Sequence, residues 1–509
     1  MSDDLVANTP AGAFRGEPDD HDTRVWRGIR YALPPTGNLR WRAPRAAPDV
    51  DGVVDATAFG AVAPQPTNPA IQLGPDAVMS EDCLFLNVWA PEVAHGSMPV
   101  MVWIHGGAYT FGASSQPVYN GASLARRGVV VVTINYRIGS LGFLDLTGLS
   151  TSTDPFDGNL ALRDVLLALA WVQRNIGDFG GDPGQVTVFG ESAGAGMVTT
   201  LLATPSAEGL FSRAIAESSP VSSVYDADRA AGVTRAFLEI VGDPTPVALR
   251  SMELQTVVEA GITVFNDVPT RAPGTIAFGP VIDGDLIPEA PLAVLADGRG
   301  LRIPLLIGTN KDEASLFRLM KSPLMPIHED DIDQMLEDLG RERPDLDLPA
   351  KQQILSAYER VRHRMIGMGI ARDIGFRMPT LWAAEGHSRH TPVWLYRFDH
   401  APLMLRLLGI GATHASELPY VWGTLGVREH DITFRLGGRK SADRLSERMQ
   451  QRWVAFAKGG APDAAGATSW PAFDTDTRAA LVIDDTDTAV NDLDAALRTG
   501  WGDSPLAFP

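Results

Sequence analysis

Continuously apolar runs recur along the chain, separated by stretches in which apolar positions return every three or four residues. Pro99-Val-Met-Val-Trp-Ile-His105 and Val129-Val-Val-Val-Thr-Ile-Asn135 are nearly all apolar over the length of one strand. Such runs predict central parallel strands covered on both faces. Between Asn159 and Asn175, the residues Leu162, Val165, Leu166, Leu169 and Val172 keep helical spacing and predict a helix. Val186 to Phe189 predicts a third buried strand, and the small residues from Ala193 to Gly196 open a helix that continues through Leu202. Leu84 to Trp89 alternates and predicts another strand. Further strands are expected at 210 to 218, at Ile303 to Gly308 and at 393 to 399, with an amphipathic helix from Arg444 to Lys458.

The first 62 residues carry short segments and turn residues that suit small antiparallel strands and hairpins. Residues 63 to 80 have three prolines in their first seven positions, which predicts a long surface loop. Residues 223 to 270 and 314 to 375 are helical in pattern and rich in charge. They read as helices packed over the top of the sheet. Buried strands alternating with helices give an α/β fold built on a mostly parallel sheet. With no repeat and no low-complexity linker, one domain spanning residues 1–509 is expected, with helical inserts at about 223–275 and 314–412 over the site.

Composition narrows the choice of partners. The 509 residues carry a net charge of −19, which argues against nucleic acid or an anionic membrane. Solubility is the simpler reading of that charge. The single cysteine, Cys83, excludes an intramolecular disulfide and a cysteine-based zinc site. The acidic start, Met1-Ser-Asp-Asp-Leu5, is unlike a secretory signal, and no window approaches the length of a membrane span. A cytoplasmic location fits these features, and oligomeric state is not readable from them.

The candidate chemistry centres on Gly190-Glu191-Ser192-Ala193-Gly194, a Gly-x-Ser-x-Gly pattern between the strand at 186–189 and the helix from Ala193. In a nucleophile elbow the serine occupies a strained strand-to-helix turn with its hydroxyl above the sheet edge. Glycines flank it because a Cβ there would collide with a neighbouring strand or helix. A serine of this kind needs a base, and the base needs an orienting carboxylate. In elbow enzymes the chain order is serine, then acid, then histidine. Strand 303–308 runs into Asp312 and Glu313, two carboxylates at a strand end. Of the ten histidines, His105 and His414 lie in glycine-rich loops beside strand ends, and the other eight lie mostly in polar stretches. Chain order favours His414. The turn His105-Gly106-Gly107-Ala108-Tyr109 follows a central strand and is suited to turning backbone N–H groups toward a developing oxyanion.

Taken together, these stretches resemble the type B carboxylesterase/lipase family, which includes bacterial para-nitrobenzyl-esterase-like carboxylesterases and is related to the cholinesterases. The resemblance rests on Glu81-Asp-Cys-Leu-Phe-Leu-Asn-Val-Trp-Ala-Pro91, Trp103-Ile-His-Gly-Gly-Ala108, Asn135-Tyr-Arg-Ile-Gly-Ser-Leu-Gly-Phe143, Phe179-Gly-Gly-Asp-Pro183, Phe189-Gly-Glu-Ser-Ala-Gly194, Gly308-Thr-Asn-Lys-Asp-Glu313 and His414-Ala-Ser-Glu-Leu-Pro-Tyr420. It implies the α/β-hydrolase fold, with Ser192 as nucleophile, His414 as base and Glu313 rather than Asp312 as the acid. It also implies an oxyanion hole from the backbone of Gly107, Ala108 and Ala193, with Ser218 matching the family's serine near the histidine. Arg40, Glu81 and Arg137 match the family's buried ion-pair positions.

Some features depart from the family's pattern. Eukaryotic members pair the cysteine matching Cys83, and here it has no mate, so it is expected as a small buried residue. The loop 63–80 lacks the tryptophan with which cholinesterases hold a quaternary ammonium, which disfavours choline esters. Ala161-Leu-Arg-Asp-Val165 and Glu217-Ser218-Ser219 also differ from the usual residues at their positions. The reading is a serine carboxylic-ester hydrolase that uses an acyl-enzyme, with no metal or organic cofactor. Small to medium esters are the expected substrates. The Gly-Gly-Ala oxyanion turn, by resemblance, would admit bulky alcohols as well. An amide or carbamate hydrolase on the same triad is the alternative, and a non-catalytic binding homologue is a remote one.

Overall fold

Side-chain alternation along the apolar runs sorts them into two cores. In the run from 98 to 104, Val100, Val102 and Ile104 join one buried cluster, and Met101 and Trp103 join another on the opposite face. Val130, Val132 and Ile134 separate from Val131 in the same way, as do Leu305 and Ile307 from Leu306. This period of two, with both faces buried, is what a strand inside a covered sheet requires.

The computed structural model describes residues 5–506, apart from 69, 70, 75, 94, 95, 345–347, 360, 363, 364 and 428–430. In chain order its strands are β1 (Val6–Thr9), β2 (Gly12–Arg15), β3 (Glu17–Asp19), β4 (Thr23–Arg30), β5 (Val53–Asp55), β6 (Phe85–Pro91), β7 (Met98–Ile104), β8 (Val130–Ile134), β9 (Gly181–Glu191), β10 (Arg213–Glu217), β11 (Leu305–Asn310), β12 (Val393–Phe398), β13 (Ala479–Ile483) and β14 (Thr488–Asn491). Strands β1, β2 and β5 form a small sheet at the N-terminus. The other eleven form one sheet in the order β14-β13-β12-β11-β10-β9-β7-β8-β6-β4-β3. From β8 across to β13 every neighbouring pair is parallel, and the flanking pairs are antiparallel.

Helices Leu160–Asn175 and Ala193–Leu202 pack on one face, and Arg439–Ala457 packs on the other. The expected elements are present, with shifted ends. The strand expected at 186–189 extends to Gly181–Glu191, and the one expected at 210–218 shortens to Arg213–Glu217. The helical stretch at 223–270 is three helices, Ala227–Val241, Pro246–Arg250 and Leu254–Arg271. The first ends at Gly242 in the left-handed region, and the second begins at a proline, so the chain turns there. Part of the loop expected at 63–80 and part of the insert at 314–412 lie outside the described residues.

Two ion pairs, one partly and one fully buried, brace the frame. Arg40 meets Glu81 through two hydrogen bonds of 2.6 Å. Arg137 donates to both carboxylate oxygens of Asp164, at 2.6 and 2.8 Å, and Asp164 also accepts the Arg137 backbone N–H. Cys83 is a free, fully buried thiol beside this pair, and burial pushes its pKa far above the ordinary range. No described helix is long and apolar enough to cross a membrane.

Candidate active site

Strand β9 delivers Ser192 into the turn before helix Ala193–Leu202. Ser192 sits at φ 56° and ψ −126°, a conformation that a non-glycine residue reaches only under strain. The flanking glycines explain how the turn fits. A Cβ on Gly194 would lie 2.0 Å from the carbonyl oxygen of Ile104, and one on Gly190 would lie 2.6 Å from the Gly194 backbone. Ser192 is only partly buried, and its backbone N–H donates to the Glu217 carbonyl at 2.9 Å.

The acid comes from the end of β11, two strands away across β10, and the histidine from the loop after β12. Their side chains converge on the serine. His414 Nε2 lies 2.8 Å from Ser192 Oγ, and its Nδ1 lies 2.7 Å from Glu313 Oε2. The other oxygen of Glu313 accepts from Ser218 Oγ and from the Asn310 N–H, both at 2.6 Å. The fully buried carboxylate is therefore held from three sides. Asp312 faces elsewhere. Its backbone N–H donates to the Ala412 carbonyl at 2.9 Å, and its Oδ2 accepts the Ala412 N–H at 3.1 Å. It fastens the histidine loop to β11 without touching the imidazole. Asn310 adds a third tie, donating to the Thr413 carbonyl at 2.8 Å.

His105 is neither base nor donor to the serine. Its ring stacks on Tyr136 at 4.5 Å, and burial lowers its pKa to about 4, so it stays neutral. Its backbone carbonyl accepts from the Tyr136 hydroxyl at 2.6 Å, which pins the turn that follows. Of the histidines expected in polar stretches, His387 and His400 are instead buried. His95, His363 and His430 lie outside the described residues.

Through that turn Gly107 and Ala108 take positive φ values of 118° and 51°. The Gly107 carbonyl accepts from Thr110 and Phe111, so the peptide N–H groups face the other way. The N–H groups of Gly107, Ala108 and Ala193 have no partner among the described residues. All three residues line the same cavity as Ser192 and His414. Unpaired N–H groups at a helix start and in a glycine turn suit an oxygen that gains negative charge. The cavity holds about 690 Å³ and is walled mainly by apolar residues.

Three further carboxylates lie buried near the triad. Glu191 Oε1 is 3.2 Å from His414 Nε2, on the serine side of the ring. Glu217 accepts from Trp453 Nε1 at 2.7 Å, and burial lifts its pKa to about 8. Glu417 accepts from Asn310, and burial together with its carboxylate neighbours drives its pKa well up. Burial also lifts Glu191 to about 7. Sequence reasoning assigned roles to none of these three. All three stand in stretches matched to the family pattern, and for Glu191 a carboxylate beside the nucleophile is the available signal.

His414 feels opposing influences. Burial lowers its pKa, but Glu191 and then Glu313 outweigh burial and raise it to about 8. A base must be neutral to take a proton, so turnover should fall as pH drops below about 8. Glu191→Gln removes the leading upward influence, and the acid limb of kcat/KM is expected to move to lower pH. A profile measured from pH 5 to 10 checks this. An unmoved limb, or one shifted upward, would show that Glu191 does not hold the imidazolium.

Comparison with known proteins extends the likeness to the whole chain. A family model described as the carboxylesterase family matches residues 3–499. Para-nitrobenzyl esterase of Bacillus subtilis (strain 168) is 37% identical, covering 97% of this chain and 97% of that protein. Fumonisin B1 esterase of Sphingopyxis macrogoltabida is 36% identical, covering 92% of this chain and 85% of its own length. A solved PNB esterase structure superposes with a TM-score of 0.83 at 35% identity, covering 98% of this chain and 100% of that one. A Geobacillus stearothermophilus carboxylesterase structure gives the same TM-score at 32% identity, with the same shares of the two chains covered.

Proposed function

The chain belongs to the carboxylesterase family, and from that premise we propose that Ser192, His414 and Glu313 carry out its hydrolysis of carboxylic esters. The fold is the α/β-hydrolase fold and the protein is a serine ester hydrolase. The observation that carries the assignment of residues is the unbroken line of short contacts from Ser192 Oγ through the imidazole to Glu313.

Ser192 Oγ attacks the ester carbonyl as His414 Nε2 takes its proton. Glu313, accepting at Nδ1–H, fixes the tautomer and stabilises the imidazolium. The N–H groups of Gly107, Ala108 and Ala193 receive the oxyanion. The C–O bond to the alcohol then breaks, and His414 returns the proton to the departing alkoxide. Water attacks the acyl-enzyme with His414 again as base, releasing the acid and free serine.

Small and medium esters fit a cavity of this size and apolar lining. The positive-φ turn at Gly107 and Ala108, which offers little side-chain bulk beside the serine, supports acceptance of branched alcohols. Mixing enzyme with excess p-nitrophenyl acetate is expected to give a burst of p-nitrophenol of about one equivalent per active site, then slower turnover. A panel including tert-butyl acetate then reads alcohol tolerance. A linear release with no burst at any concentration would count against an accumulating acyl-enzyme, and no tert-butyl acetate hydrolysis would remove the claim about bulk.

A further inference from the structure

The floor of the cavity is crowded with acids, whereas the segments at its mouth hold more exposed cations than acids among their described residues. Three segments that contribute to the lining, 316–326, 402–411 and the described residues of 425–436, also hold a concentration of the protein's exposed large apolar side chains. Leu407 is 68% exposed and Leu319 62%, with Met320, Leu408, Val427 and Leu436 exposed beside them. Isolated apolar side chains on a surface need no explanation, but several of them on the segments that line a binding cavity, with Met320 in the lining itself, mark a place where apolar matter is received.

Cations are interleaved with these side chains. Lys321 lines the cavity itself and is exposed. Arg318, Arg406 and Arg435 are exposed within the same segments, next to or within a turn of lining residues. None of these four makes an ion pair or side-chain hydrogen bond to a described residue. Among the described residues of the three segments, Asp431 is the exposed acid. A rim with this excess of unpaired cations runs against a chain whose net charge is −19. A local reversal of sign at a cleft selects for anionic ligands.

We propose that the rim selects anionic amphiphilic esters, in which an apolar chain leads from the scissile ester to a carboxylate, sulfate or phosphate. The ester seats at Ser192, the chain lies along these apolar side chains, and the anion meets Lys321, with Arg406 and its neighbours supporting it. Lys321 and Arg406 are specificity-determining residues here and take no part in the chemistry. The proposal rests on the reading of Ser192 as an esterase nucleophile.

The test compares two p-nitrophenyl esters of equal chain length, the monoester of decanedioic acid and p-nitrophenyl decanoate, each below its aggregation concentration. p-Nitrophenyl butyrate is the reference. Wild type is expected to give a roughly three- to tenfold higher kcat/KM for the carboxylate-ended ester, the scale of a few partly exposed charge pairs. In Lys321→Gln/Arg406→Gln that ratio should fall toward one. Because the ratio is taken within one preparation, loss of folded enzyme does not move it. Equal rates in wild type, a preference for decanoate, or a ratio unmoved in the variant would each overturn the proposal. Co-sedimentation with anionic phosphatidylglycerol vesicles, with activity appearing only at such a surface, would overturn it in favour of membrane docking. Absence of butyrate hydrolysis in wild type would instead strike the esterase reading beneath it.

Discussion

Ser192→Ala is expected to lower kcat on p-nitrophenyl butyrate by about 10⁴-fold or more, the scale of losing a triad nucleophile. The thermal midpoint should hardly move. The serine hydroxyl makes one hydrogen bond, to His414 Nε2, and alanine fits the elbow without adding bulk. The backbone bonds of the turn, from Ser192 N–H to Glu217 and from Gly196 N–H to the Ser192 carbonyl, survive the change. Circular dichroism melts alongside kinetics separate a chemical loss from a folding one. Retention of roughly a tenth of the wild-type rate would place the nucleophile elsewhere.

The second large effect concerns two neighbours that sequence alone presents as equals. Glu313→Gln is expected to cost about 10²- to 10⁴-fold in kcat. An amide at this position could offer an N–H to the imidazole and stabilise the wrong tautomer, and it would disturb the bonds that Ser218 and Asn310 give the carboxylate. Asp312→Asn keeps an oxygen that can accept the Ala412 N–H, so it should cost less than about tenfold. The reverse ranking would mean that the adjacent carboxylate orients the base.

The strands were legible because their burial on both faces leaves unbroken apolar runs. The elbow was legible because two glycines flank the serine, and the structure supplies the collisions that demand them. The strain at Ser192 follows from the same motif. The hairpin of β13 and β14 was not foreseen. Its apolar run, Ala479–Ile483, is short and lies among Asp and Thr residues, and it is a strand because β12 presents an edge to pair with. Asp312 and Glu313 could be separated only through a family likeness, since adjacent side chains at a strand end share every local signal. The buried Glu191, Glu217 and Glu417 come from three chain segments, and only the folded sheet brings them near one another. The cationic rim is equally a product of assembly, because each of its segments taken alone reads as an ordinary charged helix or loop.

Ser192 and His414 stand 222 residues apart in the chain, yet share one short hydrogen bond. During biosynthesis the ribosome completes β9 and the elbow long before it reaches β12 and the histidine loop. A nascent chain at that stage has β11 as an open edge awaiting a neighbour, and its serine has no base. With the roles proposed for Ser192 and His414, hydrolytic competence arrives late, with the segment that also closes this side of the sheet. On that reading, activity in a cell extract counts chains extended past the histidine loop, and shorter translation products contribute nothing to it.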